Sequence, residues 1–239
     1  RQLPDKCKQI TLKYAPEHLK EATDICENLE ELILVHPGVG WETKTFPVEY
    51  WQKIVDDLSD LGFKVGIIGK NVNDLHRVLE VKVPPNGYDF RDKLSVQGTI
   101  ALISKARVLI TNDSSPLFMA GAFTNYIILI PTCKHPDLIM PFRNGGDKYW
   151  RAAALYKKVL EDDDYRAVTD LKGWSMKEMP PGHNLMEYLP DTDDVVDKVI
   201  DFCDQWETTH CSTKLKEKQN GKEFMGGGRN VGGVVESYQ

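Results

Sequence analysis

Two short stretches of this chain carry residues able to hold an anion. The first, VHPGVGWETKTFP over residues 35–47, sets Gly38 and Gly40 ahead of Thr43, Lys44 and Thr45. Glycines let a backbone approach a ligand closely, and a lysine flanked by hydroxyls complements a phosphate. The spacing is not that of a P-loop, because GxxxxGK[ST] is absent. Read alone, the stretch is an ordinary strand-to-helix turn with a solvated lysine. The second, TNDSSP over residues 111–116, offers Asp113, Ser114 and Ser115. These are good helix N-caps. Equally, Ser114 and Ser115 could receive an anion at a helix start while Asp113 accepts hydrogen bonds from sugar hydroxyls.

What decides between these readings is the set of elements that positions the two stretches. ELILVH (31–36), FKVGIIG (63–69), RVLIT (107–111) and YIILI (126–130) are short apolar runs bounded by turn residues, the pattern of buried strands. Helical spacing occurs in APEHLKEATDICENL (15–29), where Leu19, Ala22, Ile25, Cys26 and Leu29 share a face. It recurs after Pro47, where Trp51, Ile54, Val55 and Leu58 align before Gly62. Residues 99–106 and 115–124 read as two more helices, with a short one expected around Asp74–Leu79 and a turn at Pro84–Gly87. Strands alternating with helices predict an α/β, Rossmann-like parallel sheet with helices on both faces.

In such a sheet, ligands bind outside the carboxyl ends of the strands. Four segments end at that edge: His36–Lys44, IIGKN (67–71), TNDSSP (111–116) and PTCKHPDLIMPF (131–142). Gly69 permits close approach, and Lys70 or Asn71 could meet a base or ribose. Two phosphate-compatible helix starts on one edge are more telling than either alone, and together they favour a diphosphate cradle. His36, flanked by Pro37-Gly38, reads as a structural hydrogen-bonder. His135 could line the pocket but has no triad around it, and Cys133 lacks an adjacent activating partner.

The totals narrow the function classes. The chain has 239 residues, 41% hydrophobic and 28% charged, a globular balance, and a formal net charge of -6 that argues against a nucleic-acid binder. No apolar stretch approaches the roughly 18 residues of a membrane span. Arg1 stands first and no signal-peptide pattern follows, which is read as a chain trimmed from a longer one. Cys7, Cys26, Cys133, Cys203 and Cys211 lack paired spacing and read as reduced thiols of a cytoplasmic protein, with no zinc or other metal site. The expected organisation is a connecting segment and first helix over 1–30 and a Rossmann-like domain over 31–206. That domain ends in an amphipathic helix, 191–206, and a flexible Lys- and Gly-rich tail follows over 207–239.

Taken together, HPGVGWETKTFPVEYW and LITNDSSPLFMAGAF resemble the carboxyl-terminal half of the heptosyltransferase-type glycosyltransferases of family 9. Their second domain carries a pattern like HPG-x-x-W-x-[ST]-K-x-W-P, then NDSGPMH, then a GPT loop. Here His36-Pro37-Gly38, Trp41, Thr43-Lys44, Phe46-Pro47, Ile67-Ile68-Gly69, Asn112–Pro116 and Pro131-Thr132 follow that order across about residues 20–145. The resemblance implies a GT-B enzyme whose second domain binds a nucleotide-sugar donor, commonly ADP-heptose, and transfers the sugar to an acceptor with inversion and without metal or other cofactor. It implies that Thr43 and Lys44 contact the diphosphate and that Asp113 holds the donor sugar. Ser114 and Ser115 would complete the phosphate cradle, leaving Lys44 and Asp113 as the catalytic pair. Ser115 replaces the family's glycine, and Phe118 stands where a histidine is usual, so it cannot donate a hydrogen bond to the donor. The acceptor is unknown. Its site and the general base are expected on an amino-terminal domain or partner chain not contained in this sequence. The rival expectation is a degenerate transferase domain serving as a non-catalytic binding or assembly module.

Overall fold

Leu32, Ile33, Leu34 and Val35 are wholly inaccessible to solvent, as a strand must be when it has neighbours at both edges and helices on both faces. The computed structural model describes residues 4, 8–38, 40–71, 80–160, 179 and 182–225, with side chains placed through residue 209. Among them, six strands form one parallel sheet: β1 (Leu32–His36), β2 (Lys64–Ile67), β3 (Tyr88–Asp89), β4 (Val108–Asn112), β5 (Tyr126–Ile130) and β6 (Ala152–Ala154). Their order is β3-β2-β1-β4-β5-β6, the doubly wound arrangement, with the chain reversing its winding direction between β1 and β4. In register, His36 lies beside Thr111 at that junction, and Asn112 beside Ile130.

The helices follow from capping and apolar faces. α1 (Pro16–Thr23) starts on a proline and stops well short of residue 29, where a 3-10 turn, Leu29–Glu31, leads into β1 instead. α2 (Val48–Asp60) begins just after Pro47 and buries Trp51, Ile54, Val55 and Leu58, each worth about 1.5–3 kcal/mol of apolar burial. It closes as the Gly62 and Phe63 amides donate to the Ser59 and Leu58 carbonyls, a Schellman ending. α3 (Val96–Lys105) is capped by the Ser95 hydroxyl, which accepts from the Gly98 amide. Glu21 of α1 in turn accepts from the amide and hydroxyl of Ser95. α4 (Ser115–Gly121) and α5 (Pro136–Ile139) are short, and α4 ends before the expected Thr124.

The four strands expected from the sequence are present as a parallel sheet. β3 and β6 were not expected, because two and three residues leave no alternation to read. The helix expected around Asp74–Leu79 falls outside the described residues. The chain divides into Arg1–Phe202, which holds the sheet, and Cys203–Gln239. α6 (Thr192–Met225) runs on well beyond the expected end at Trp206, so the tail is helical through Met225. Its Lys, Glu, Leu and Gln are good helix formers, and no proline interrupts them.

Candidate functional site

The β1/β4 junction opens into a cavity of about 450 Å³ lined by all three glycine-bearing or serine-bearing loops of that edge. His36, Gly38, Gly40 and Lys44 come from the first loop, Gly69 and Lys70 from the second, and Asn112 to Pro116 from the third. Leu94, Val96, Thr99 and Met119 close an apolar side. A crevice where the winding direction reverses is where an open parallel sheet leaves room for a ligand.

The Lys44 turn is held from two sides. A 3-10 turn, Glu42–Lys44, presents Lys44 toward β4, and its Nζ lies 2.5 Å from Oδ2 of Asp113. Both side chains are largely shielded, at 19% and 12% exposure, so the pair is screened less than a surface ion pair. The Lys44 ammonium also sits 4.6 Å from the Trp41 ring centre. From one side, the Asn112 amide donates to the carbonyls of Lys44 (2.7 Å) and Gly38 (3.3 Å). From the other, the Thr132 hydroxyl donates to the Thr43 carbonyl at 2.5 Å, and Cys133 Sγ lies 3.1 Å from Thr43 Oγ1. The Thr45 hydroxyl accepts from the Gly40 amide and donates to the Trp41 carbonyl, closing the loop on itself.

His36 forms the floor. Its Nδ1 is 3.1 Å from Ser114 Oγ and 3.3 Å from Thr111 Oγ1, tying the two anion-suited loops together. Burial holds its pKa down at about 4, so the imidazole is neutral at physiological pH. Gly69, at φ +121, passes over the ring in a conformation few side-chain-bearing residues adopt, and a Cβ there would lie 3.3 Å from His36 Cδ2.

Most of the expected site residues converge. Gly38, Lys44, Gly69, Asp113, Ser114 and Ser115 all line the cavity. Thr43 does not: it is fully buried behind the loop, and its hydroxyl faces Cys133. Ser114 makes no side-chain cap to α4, since its hydroxyl is directed to His36 and Thr111. The fourth expected segment supports the first loop through Thr132 and Cys133, and Cys133 is a buried thiol whose pKa burial raises. His135 caps α5 by accepting from the Asp137 amide and does not line the cavity. Of the two second-loop candidates, Lys70 lines the cavity, while Asn71 does not, and its backbone N–H donates to the Asp92 carboxylate. The residue that sequence reasoning passed over is Asn112. A polar residue closing an apolar strand was the signal, but only the fold shows its side chain 98% buried between two loops.

The fold and crevice define a Rossmann-like domain of the doubly wound kind. The profile of glycosyltransferase family 9 (heptosyltransferase) matches residues 2–158, and the chain belongs to that family. A glycosyl transferase family 9 protein from Veillonella parvula DSM 2008 superposes with a TM-score of 0.58 at 14% identity, over 81% of this chain and 53% of that one. The ADP-heptose lps heptosyltransferase II of E. coli gives 0.53 at 13% identity, over 82% and 54%. These likenesses are of fold, and this chain spans about half the length of either protein. No curated protein sequence matches it. No described helix is long and apolar enough to cross a membrane.

Proposed function

We propose that this chain is the donor-binding half of a glycosyltransferase that moves a sugar from a nucleoside diphosphate sugar to an acceptor hydroxyl, with inversion and without a metal. The observation that carries this reading is Lys44 and Asp113 meeting 2.5 Å apart in the crevice at the β1/β4 junction. Departure of a nucleoside diphosphate develops negative charge on the diphosphate. An ammonium in a sheltered crevice stabilises that charge more than one in water would. In this reading Lys44 takes the diphosphate, and Ser114, Ser115 and the backbone at Gly38 and Gly69 complete the cradle. Asp113, released from Lys44, accepts hydrogen bonds from the sugar. Thr43 serves from behind, by holding the turn. The acceptor and the base that deprotonates it lie on a domain or chain outside this one. The setting is cytoplasmic, where thiols such as Cys26 and Cys133 stay reduced.

A second reading, a non-catalytic binding module derived from such a domain, is favoured by one observation. Phe118, in place of the family's histidine, is 41% exposed and outside the cavity lining. Calorimetry with ADP, UDP and GDP tests the first reading. One of them binds, and Lys44→Ala weakens it at least tenfold, about 1.4 kcal/mol. Failure of all three to bind removes the donor-site reading and leaves the module.

A further inference from the structure

Asn112 closes β4 beside the crevice, yet its side chain turns back under the first loop. One amide nitrogen serves two carbonyls of that loop, those of Gly38 and Lys44. Its Oδ1 has no hydrogen-bond partner, although the residue is only 2% exposed. The amide fits because Gly38 has no side chain: a Cβ there would stand 2.5 Å from Asn112 Oδ1 and 2.6 Å from Nδ2. Gly38 carries no positive φ, so the constraint on it is the space Asn112 fills and not its backbone conformation. The next residue, just past the end of β4, is Asp113, the partner of Lys44. A single side chain thus fixes the loop that carries the cation to the strand end that carries the anion.

We propose that Asn112 is the positioning residue of this crevice, acting through Lys44 by locking its turn to β4 so that the ammonium is delivered to the place Asp113 marks. The proposal deepens the reading of Lys44 as the diphosphate contact. Its primary readout is Lys44 itself, so it stands or falls separately from nucleotide binding.

The test measures the rate at which a lysine-acylating reagent modifies Lys44, followed by peptide mass spectrometry, in chains whose thermal unfolding is recorded alongside. Asn112→Ala raises the Lys44 rate roughly fivefold or more, and other lysines are unchanged. Gly38→Ala, which forces a Cβ into the amide, raises it similarly from the opposite side of the contact. In the double variant the two effects do not add, because once the amide is gone the Gly38 methyl has nothing to strike. Where a nucleoside diphosphate binds the parent, Asn112→Ala weakens it in the Lys44 protein and leaves any residual binding of Lys44→Ala unchanged. An unaltered Lys44 rate in both single variants, or full additivity in the double, overturns the proposal. Should Asn112→Ala fail to fold, Gly38→Ala alone decides it by the same rate.

Discussion

The imidazole Nδ1 of His36 lies 3.1 Å from the Ser114 hydroxyl, joining the end of β1 to the segment that follows β4. The contact is made by a ring kept neutral by burial, with a pKa of about 4 against an ordinary 6.5. In the unfolded chain the same ring takes up a proton as pH falls through 6.5, whereas the folded one does not until about 4. Its contribution to stability is therefore complete above pH 6.5 and is lost progressively between 6.5 and 4, at about 1.4 kcal/mol per unit of pKa difference. Melting temperatures measured from pH 7.5 to 4 fall more steeply for the parent than for His36→Asn, which does not titrate. Parallel curves would assign the acid sensitivity elsewhere.

Asp113 pairs with the Lys44 ammonium in the crevice, so any phosphate arriving there must displace it. Asp113→Asn is accordingly expected to tighten binding of a bare nucleoside diphosphate by roughly threefold to tenfold, because a competing anion is gone. The same variant is expected to erase any extra affinity that the attached sugar confers. Calorimetry with the diphosphate and with its sugar adduct separates the two effects. Weaker binding of the bare diphosphate would mean that Asp113 supports the phosphate site and does not compete for it.

Arg143 is wholly buried, and among the described residues no carboxylate pairs with it. Its two terminal nitrogens donate to the carbonyls of Phe123, Asn125, Trp150 and Arg151, stitching the residues before β5 to those before β6. Burial lowers its pKa to about 10, which still leaves it charged at neutral pH. Arg143→Met leaves these buried carbonyls without donors and is expected to cost on the order of 3 kcal/mol in denaturant unfolding. Arg143→Lys recovers only part of this, since a point ammonium cannot copy the planar fork. A loss below about 1 kcal/mol for Arg143→Met would show that water replaces the guanidinium.

Gly69→Ala combines a disfavoured φ with a methyl 3.3 Å from His36 Cδ2, closer than ordinary van der Waals contact. A cost of about 1–3 kcal/mol is expected, together with movement of the His36 ring resonances by NMR. Stability loss without any change at His36 would place the strain in the backbone alone.

Much of this architecture was legible in the sequence, for identifiable reasons. Leu32–Val35 and Tyr126–Ile130 are apolar throughout because both faces of the sheet are covered, and such runs announce themselves. Trp51, Ile54, Val55 and Leu58 keep the helical period that α2 needs. The edge strands were not legible. Ala152–Ala154 has no strand-forming character, and its pairing with β5 supplies the conformation. The end of α1 at Thr23 was hidden because Ile25, Cys26 and Leu29 continue the helical spacing while packing from a turn. That Lys44 and Asp113 share one sheet edge was readable from residue type and position in the chain. Thr43 was misplaced to the ligand side, since two neighbouring hydroxyls look alike until one is seen beneath Thr132 and Cys133. Asn112 was overlooked because its value depends on a space left by Gly38, 74 positions away in the chain.

The Lys44–Asp113 contact also gives the crevice a valence rule. With the Lys44 charge already balanced by Asp113, the crevice at that point is an ion exchanger and not a positive trap. An anion of single charge merely takes over the place of a carboxylate and gains little. One bearing two or more charges on adjoining groups can take the ammonium and still have oxygens left for the hydroxyl of Ser115 and the donors around it. Chloride or acetate would therefore leave the Lys44–Asp113 pair joined, and a doubly charged diphosphate would part it.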